Sequence, residues 1–211
     1  MNGITVPMAI VDFIPVVLFF IAAVILQRDL YNKMVKGAYS LLAAGSIMVL
    51  LGGFYKALWK ALYALKVCDF VALDQAFFPL QGPGFILICM ALAFVNLGSV
   101  KKSSSSMTAR SSVPILGIVL PYTSNIIFII MQVIGYGGIC FFLARIAKKM
   151  KVRSAVVLFI LAFVFVLAMG YLGAKFDDSS SMHWIAQLTN IIGQGSLFLG
   201  VYKLHKAGLG K

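Results

Sequence analysis

Six stretches of about 20 predominantly apolar residues constrain the fold of this chain more than any other feature of its sequence. They cover residues 8–27, 37–58, 79–98, 126–146, 154–174 and 183–204. Each is long enough to cross the hydrocarbon layer of a bilayer as one α-helix. With 62% hydrophobic and 11% charged residues, a soluble globule could not bury so much apolar surface. We therefore predict an all-α polytopic membrane protein whose main partner is the lipid bilayer.

A seventh apolar stretch, residues 111–124, is shorter and contains Pro114 and Pro121. The basic residues decide whether it crosses, because Lys and Arg accumulate in cytoplasmic loops. If it crosses, 14 of the 18 Lys and Arg residues fall on one side of the membrane, whereas otherwise these 14 divide into eight and six. We therefore predict seven transmembrane helices in the cell membrane, with the N-terminus outside and the C-terminus in the cytoplasm. Six crossings is the alternative, since about 14 helical residues rise only about 21 Å.

A weak internal repeat relates the two ends of the chain. Arg28 and Gly53 correspond to Arg145 and Gly170 at a shift of 117 residues, and Gln81 corresponds to Gln194 at a shift of 113. Each end has an apolar helix, a basic loop, a second apolar helix, an Asp-bearing loop and a third helix. We predict a 3+1+3 arrangement with an N-terminal half (1–100), a basic linker with the short fourth helix (101–125) and a C-terminal half (126–211).

Polar side chains recur at helical spacing along the last apolar stretch. His183, Gln187, Asn190 and Gln194 are separated by 4, 3 and 4 residues, so they share one face of a helix. We call this face the amide stripe. Because polar groups are costly in hydrocarbon, we expect the amide stripe to face the interior of the bundle or a water-filled cavity.

Other helices carry polar residues that we expect to meet the amide stripe. Gln132 and Tyr136 lie one turn apart in one helix, and Gln81 lies near the start of another. Lys56 lies near the outer end of the second apolar stretch, and Asp12 lies at a similar depth in the first, which predicts an ion pair between them. Together with the amide stripe, these five residues form the predicted solute-binding set.

The polar faces predict a transporter or facilitator that moves a small polar solute through a cavity open to the outside. Facilitated diffusion is favoured over coupling to an ion, because no carboxylate is predicted deep in the membrane. The alternative is a receptor-like or accessory membrane subunit, since interhelical Gln and Asn hydrogen bonds also hold helices together. In that case the stripe is structural or contacts a partner, either another membrane protein or a second copy of the chain.

The sequence offers little support for catalysis, and enzyme activity is left open but not favoured. No GxSxG, HExxH or glycine-rich phosphate loop is present. His183 and His205 fall about 33 Å apart along one helix, too far to share a metal. We predict no cofactor and no metal. The net charge of +12 suits anionic lipid headgroups, because the basic residues lie between apolar stretches, so we expect no nucleic-acid partner.

Overall fold

The computed structural model describes residues 5–97, 126–174 and 180–210. These residues form eight α-helices, with a short 3-10 turn at Tyr31–Lys33 between the second and the third. The helices are α1 (Val6–Val11), α2 (Phe13–Leu30), α3 (Lys36–Ala64), α4 (Val71–Gln75), α5 (Phe77–Leu97), α6 (Ile126–Lys149), α7 (Arg153–Ala174) and α8 (Ser180–Lys206). Each of the six predicted stretches lies on a long helix, with α1 and α2 sharing the first, which confirms the all-α prediction.

Five helical spans within the described residues are long and apolar enough to cross a membrane. They are Val6–Lys33, Lys36–Ala64, Val71–Asn96, Ile126–Lys149 and Arg153–Leu172. Helix α8 has 27 residues, which is also sufficient in length, but its amides make it less apolar than the other long helices. The chain is therefore an α-helical membrane protein. The predicted short fourth helix, residues 111–124, lies outside the described residues.

Two of the helix breaks lie four residues before a proline. Helix α1 ends at Val11, before Pro15, and helix α4 ends at Gln75, before Pro79. A proline ring lacks the N–H that would bond to the carbonyl four residues earlier, and it also clashes with that carbonyl. The breaks between α1 and α2 and between α4 and α5 therefore follow from the sequence.

The long helices form a closed ring, because each packs against the next one along the chain and α8 packs against α2. Helices α3 and α5 are antiparallel. A Cβ atom added at Gly45 would lie 2.6 Å from the carbonyl oxygen of Gly84, and one added at Gly52 would lie 3.1 Å from that of Phe77. Close approach of backbones at small residues is a common way for membrane helices to pack.

Helices α5 and α6 are parallel, although they follow one another along the described chain. Gly82 lies against Phe128, and Gly135 lies against Phe85. Further along both helices, Gly138 lies against Cys89. Leu97, where α5 ends, and Ile126, where α6 begins, therefore lie at opposite ends of the bundle.

Helices α2 and α8 are also parallel. Near the start of α8, Gln187 bonds to Met8 of α1, the short helix that precedes α2. Further along, a Cβ atom added at Gly195 would lie 4.0 Å from Leu18 of α2, and near the ends of both helices His205 bonds to Asp29. The first triplet (α2, α3, α5) and the second triplet (α6, α7, α8) thus meet twice, at the α5–α6 and α8–α2 junctions. Both junctions join parallel helices.

Charge divides the two ends of the bundle. The end where α2, α5, α6 and α8 begin holds Asp12, Asp69 and Asp74, and we call it the acidic end. The opposite end we call the basic end. Of the 13 Lys and Arg residues that the structure describes, ten lie towards the basic end and three towards the acidic end.

Candidate functional site

The amide stripe faces two directions in the structure. Helix α8 packs against α7 on one side and α2 on the other, and Leu197 lines a cavity in the middle of the bundle. Asn190 and Gln194 precede Leu197 by seven and three residues, so they share its inward face. Gln187 turns towards α1 instead, where its Nε2 atom donates a hydrogen bond to the Met8 carbonyl over 2.9 Å.

Above this cavity, the parallel helices α5, α6 and α8 carry inward-facing residues at the same sequence spacing. The lower layer, which lines the cavity, consists of Ile88 on α5, Ile139 on α6 and Leu197 on α8. Three residues earlier on each helix lies a middle layer, and seven residues earlier lies an upper layer. The middle layer consists of Phe85, Tyr136 and Gln194, and the upper layer of Gln81, Gln132 and Asn190.

The layers lie at successive depths because α5, α6 and α8 run in the same direction. With a rise of about 1.5 Å per residue, the middle layer is about 4.5 Å and the upper layer about 10 Å from the lower layer. Both are displaced towards the acidic end. The structure thus brings Gln81, Gln132, Tyr136, Asn190 and Gln194 of the predicted set to adjacent depths on inward faces. His183 is half-buried and lies two turns beyond Asn190.

Several oxygen atoms in the interior have no hydrogen-bond partner among the residues that the structure describes. They include Oε1 of Gln132, Oε1 of Gln194 and the hydroxyl oxygen of Tyr136, all shielded from solvent. Tyr136 is only 1% exposed. A buried acceptor without a donor costs about 1–3 kcal/mol. The middle and upper layers therefore present surplus acceptors that water or a solute with N–H or O–H groups would satisfy.

Gln81 differs from the other two amides of the upper layer. Its Nε2 atom lies 3.5 Å from the carbonyl oxygen of Val49 on α3, which it contacts as a donor. A Cβ atom added at Gly53 would lie 3.4 Å from the same nitrogen. Gln81 is therefore held against the backbone of α3 at the edge of the layer.

Aromatic rings close the interior at the middle layer. Phe85 packs edge-on against Tyr136, with ring centroids 5.3 Å apart, and against Phe19 of α2, with centroids 6.0 Å apart. The cavity below them has a volume of about 10 Å³, enough for about one water molecule. Ser46 is the single polar residue among those that line it, and its hydroxyl donates to the Leu42 carbonyl. The structure thus has a polar half towards the acidic end, and the small cavity below it is lined by apolar side chains and Ser46.

Ion pairs lie at the acidic end, above the upper layer. We predicted that Lys56 would pair with Asp12, but Asp12 instead pairs with Lys60, one helical turn further along α3. The side chains of Lys60 and Asp12 are 14% and 12% exposed. Asp12 lies at the break between α1 and α2 that Pro15 causes, and this break places its carboxylate beside the last turns of α3.

Lys56 is directed at the start of α5. Its ammonium lies 3.7 Å from the carboxylate of Asp74 and 4.4 Å from the ring centroid of Phe77. The carboxylate and the aromatic face both attract the cation. The positive charge of Lys56 is therefore already compensated by Asp74 and Phe77, and its ammonium does not point into the three layers.

A buried carboxylate at the basic end was missed by the sequence analysis. Asp29 is 4% exposed and accepts a hydrogen bond from Nδ1 of His205 at 2.8 Å. After His205 the chain turns at Gly208, which has a φ of 91°. Beyond this turn, the ammonium of Lys33 donates a hydrogen bond to the Leu209 carbonyl. The signal in the sequence was the position of Asp29 at the end of an apolar helix. The count of charges in each loop treated this residue as part of a loop.

A scan of the chain against protein-family models found no match, and searches of curated proteins and of solved structures found none either.

Proposed function

We propose that this membrane protein is a facilitator that moves a small polar solute through the interior of the helix ring. The observation that carries the proposal is the set of unpartnered acceptors on Gln132, Tyr136 and Gln194. Unsatisfied polar atoms are unfavourable away from water, and these three lie in adjacent layers, so one bound molecule could pair them together. A passing solute that donates hydrogen bonds would supply the missing partners.

The direction of α5 and α6 supports seven crossings. Because these helices are parallel, the chain between Leu97 and Ile126 has to connect opposite ends of the bundle, and the proposed short fourth helix would provide that connection. The distribution of Lys and Arg favours a cytoplasmic basic end. In this arrangement the N-terminus and the polar half of the interior are outside, and the C-terminus is in the cytoplasm.

The two triplets support the proposed 3+1+3 repeat and suggest how the interior opens. Each triplet has one helix running opposite to its two neighbours, and the triplets meet at two parallel junctions. Such pseudo-symmetric halves are typical of carriers that alternate access by rocking one half against the other. The cavity below the middle layer has a volume of only about 10 Å³, so the two triplets would have to separate towards the basic end to release a solute.

A specific observation favours the alternative of a receptor-like or accessory subunit. Gln187 bonds to Met8 of α1, and Gln81 contacts the Val49 carbonyl of α3. These two amides act between helices, as packing contacts do. If the remaining amides are also structural, the protein would bind a membrane partner or a second copy and would carry no solute.

Flux into liposomes separates these functions. We expect purified protein in liposomes to accelerate uptake of small polar solutes over protein-free liposomes. Gln194→Leu should lower this uptake without lowering the free energy of unfolding, since Oε1 of Gln194 has no hydrogen-bond partner among the described residues. Gln75→Leu, a change of the same chemistry at an exposed position of α4, is the matched control. Absence of flux for every solute, together with a co-purifying membrane protein, would reject the facilitator.

Cysteine labelling tests the proposed topology. Asn32 and Lys149 are exposed at the basic end. Asn32→Cys and Lys149→Cys should both react with an impermeant maleimide only after the cells are permeabilised. The native Cys68 is exposed at the acidic end and should react in intact cells, so it is replaced by Ser when the other two are tested. Labelling of Asn32→Cys and Lys149→Cys from opposite sides would refute seven crossings.

A further inference from the structure

We propose that the solute is electrically neutral and carries several hydrogen-bond donors, as small amides and polyols do. This inference rests on the proposed function and names the class of solute that the same site accepts. Two properties of the layers support it, namely their surplus of acceptors and their lack of charge.

The unpartnered atoms are all oxygens that can accept a hydrogen bond. Among the described residues, Oε1 of Gln132 is unpaired in the upper layer, and Oε1 of Gln194 and the hydroxyl oxygen of Tyr136 are unpaired in the middle layer. The Tyr136 ring packs edge-on against Phe85 and is only 1% exposed, so its hydroxyl lies inside the bundle. A solute matches this pattern when it offers two or three donors spaced over a few ångströms, because each one satisfies an acceptor that is otherwise desolvated.

No charged side chain belongs to the upper, middle or lower layer. Lys56 lies about one helical turn beyond Gly53, and it is directed at Asp74 and Phe77. At the acidic end Lys60 is paired with Asp12. These cations are therefore already compensated by the protein and are not available to a solute in the layers.

The buried carboxylate at the basic end also has partners of its own. Asp29 faces His205, with Arg28 3.9 Å from its carboxylate. A solute with a net charge would therefore enter a desolvated region without a counter-charge, which is strongly unfavourable in a membrane interior. A neutral solute avoids this penalty and gains the hydrogen bonds.

Pairs of solutes that match in shape and differ in charge test this inference. Urea is compared with guanidinium, and acetamide with acetate, by radiolabelled uptake into liposomes; glycerol is added as a polyol. We expect each neutral solute to enter at least about tenfold faster than its charged counterpart, after subtraction of uptake by protein-free liposomes. Equal or faster uptake of guanidinium or acetate would overturn the inference while leaving a facilitator in place. Uptake of none of the five above the protein-free level would reject the proposed function itself.

A charge placed in the upper layer provides a second, independent readout. Gln132→Glu supplies the counter-charge that the layers lack, so the ratio of guanidinium to urea uptake should rise by about tenfold or more. Gln75→Glu makes the same change at the exposed surface of the acidic end and should leave the ratio unaltered. An unaltered ratio in Gln132→Glu, with wild-type urea uptake, would show that the solute does not pass the layers and would overturn the inference.

Discussion

Replacing Gly135 by alanine should force α5 and α6 apart at the junction between the two triplets. A Cβ atom at this position would lie 2.7 Å from the amide nitrogen of Ile86 and 2.7 Å from the carbonyl carbon of Phe85. Both are backbone atoms, which cannot rotate away as the end of a side chain can. Ordinary contact begins at 3.4 Å, so the helices would have to separate by at least about 0.7 Å.

The expected loss follows from comparison with other overpacked cores. Forcing one extra methyl group into a tightly packed site typically costs about 1–3 kcal/mol. Helix propensity partly opposes this loss, because alanine is favoured over glycine within a helix by up to about 1 kcal/mol. Gly170→Ala on α7 isolates the overlap, since it carries the same propensity gain and its Cβ would meet nothing within 4 Å.

Unfolding in mixed micelles of a mild detergent and dodecyl sulfate measures both variants against the native protein. Gly170→Ala should be as stable as the native protein or slightly more stable, and Gly135→Ala should be less stable than Gly170→Ala by about 1–3 kcal/mol. If the two variants agree within about 0.5 kcal/mol, the close parallel contact of α5 and α6 is refuted. The support that this contact gives to seven crossings would be refuted with it.

Three further predictions test other contacts of the structure. With the other native cysteines removed, Gly138→Cys should form a disulfide with Cys89, found by mass spectrometry of the joined peptides, because the two Cβ atoms would be 3.5 Å apart; no disulfide under oxidation would contradict the parallel register. Gln187→Leu should destabilise the protein by about 0.6–1.7 kcal/mol in the same unfolding assay, since the bond to Met8 is lost. His205→Ala should destabilise it by about 1–3 kcal/mol, because Asp29 is left buried without its partner, and Asp29→Asn in addition should recover part of that loss.

The positions of the helices could be predicted from the sequence because hydrophobic length is a local property. The predicted stretch 126–146 lies within α6 (Ile126–Lys149), and 79–98 overlaps α5 (Phe77–Leu97) at all but one residue. The inward direction of Asn190 and Gln194 also followed from helical spacing alone. Which helix each polar side chain meets depends on packing between distant parts of the chain, and that was not accessible from spacing.

Differences of one helical turn show this limit most clearly. The internal repeat stays a prediction that aligns Gln81 with Gln194, whereas the layers place Gln81 at the depth of Asn190, four residues earlier. The predicted partner of Asp12 was Lys56, whereas the structure pairs it with Lys60, again four residues away. Adjacent turns of a helix present equivalent side chains to the same face, so the sequence determines the face and leaves the depth to the packing of the neighbouring helix.

The two junctions between the triplets differ in chemistry, and this difference indicates where the proposed motion occurs. The α5–α6 junction is held by close backbone contacts at Gly82 and Gly135. These van der Waals contacts are lost as soon as the two helices move slightly apart. The α8–α2 junction has a polar contact near the basic end, from His205 to Asp29, and the adjoining contact of α8 with α1 is also polar, from Gln187 to Met8. Polar contacts can exchange their partners for water when a seam opens, whereas buried methylene and backbone contacts cannot. In alternating access by the two triplets we therefore expect α5–α6 to act as the hinge and α8–α2 to open.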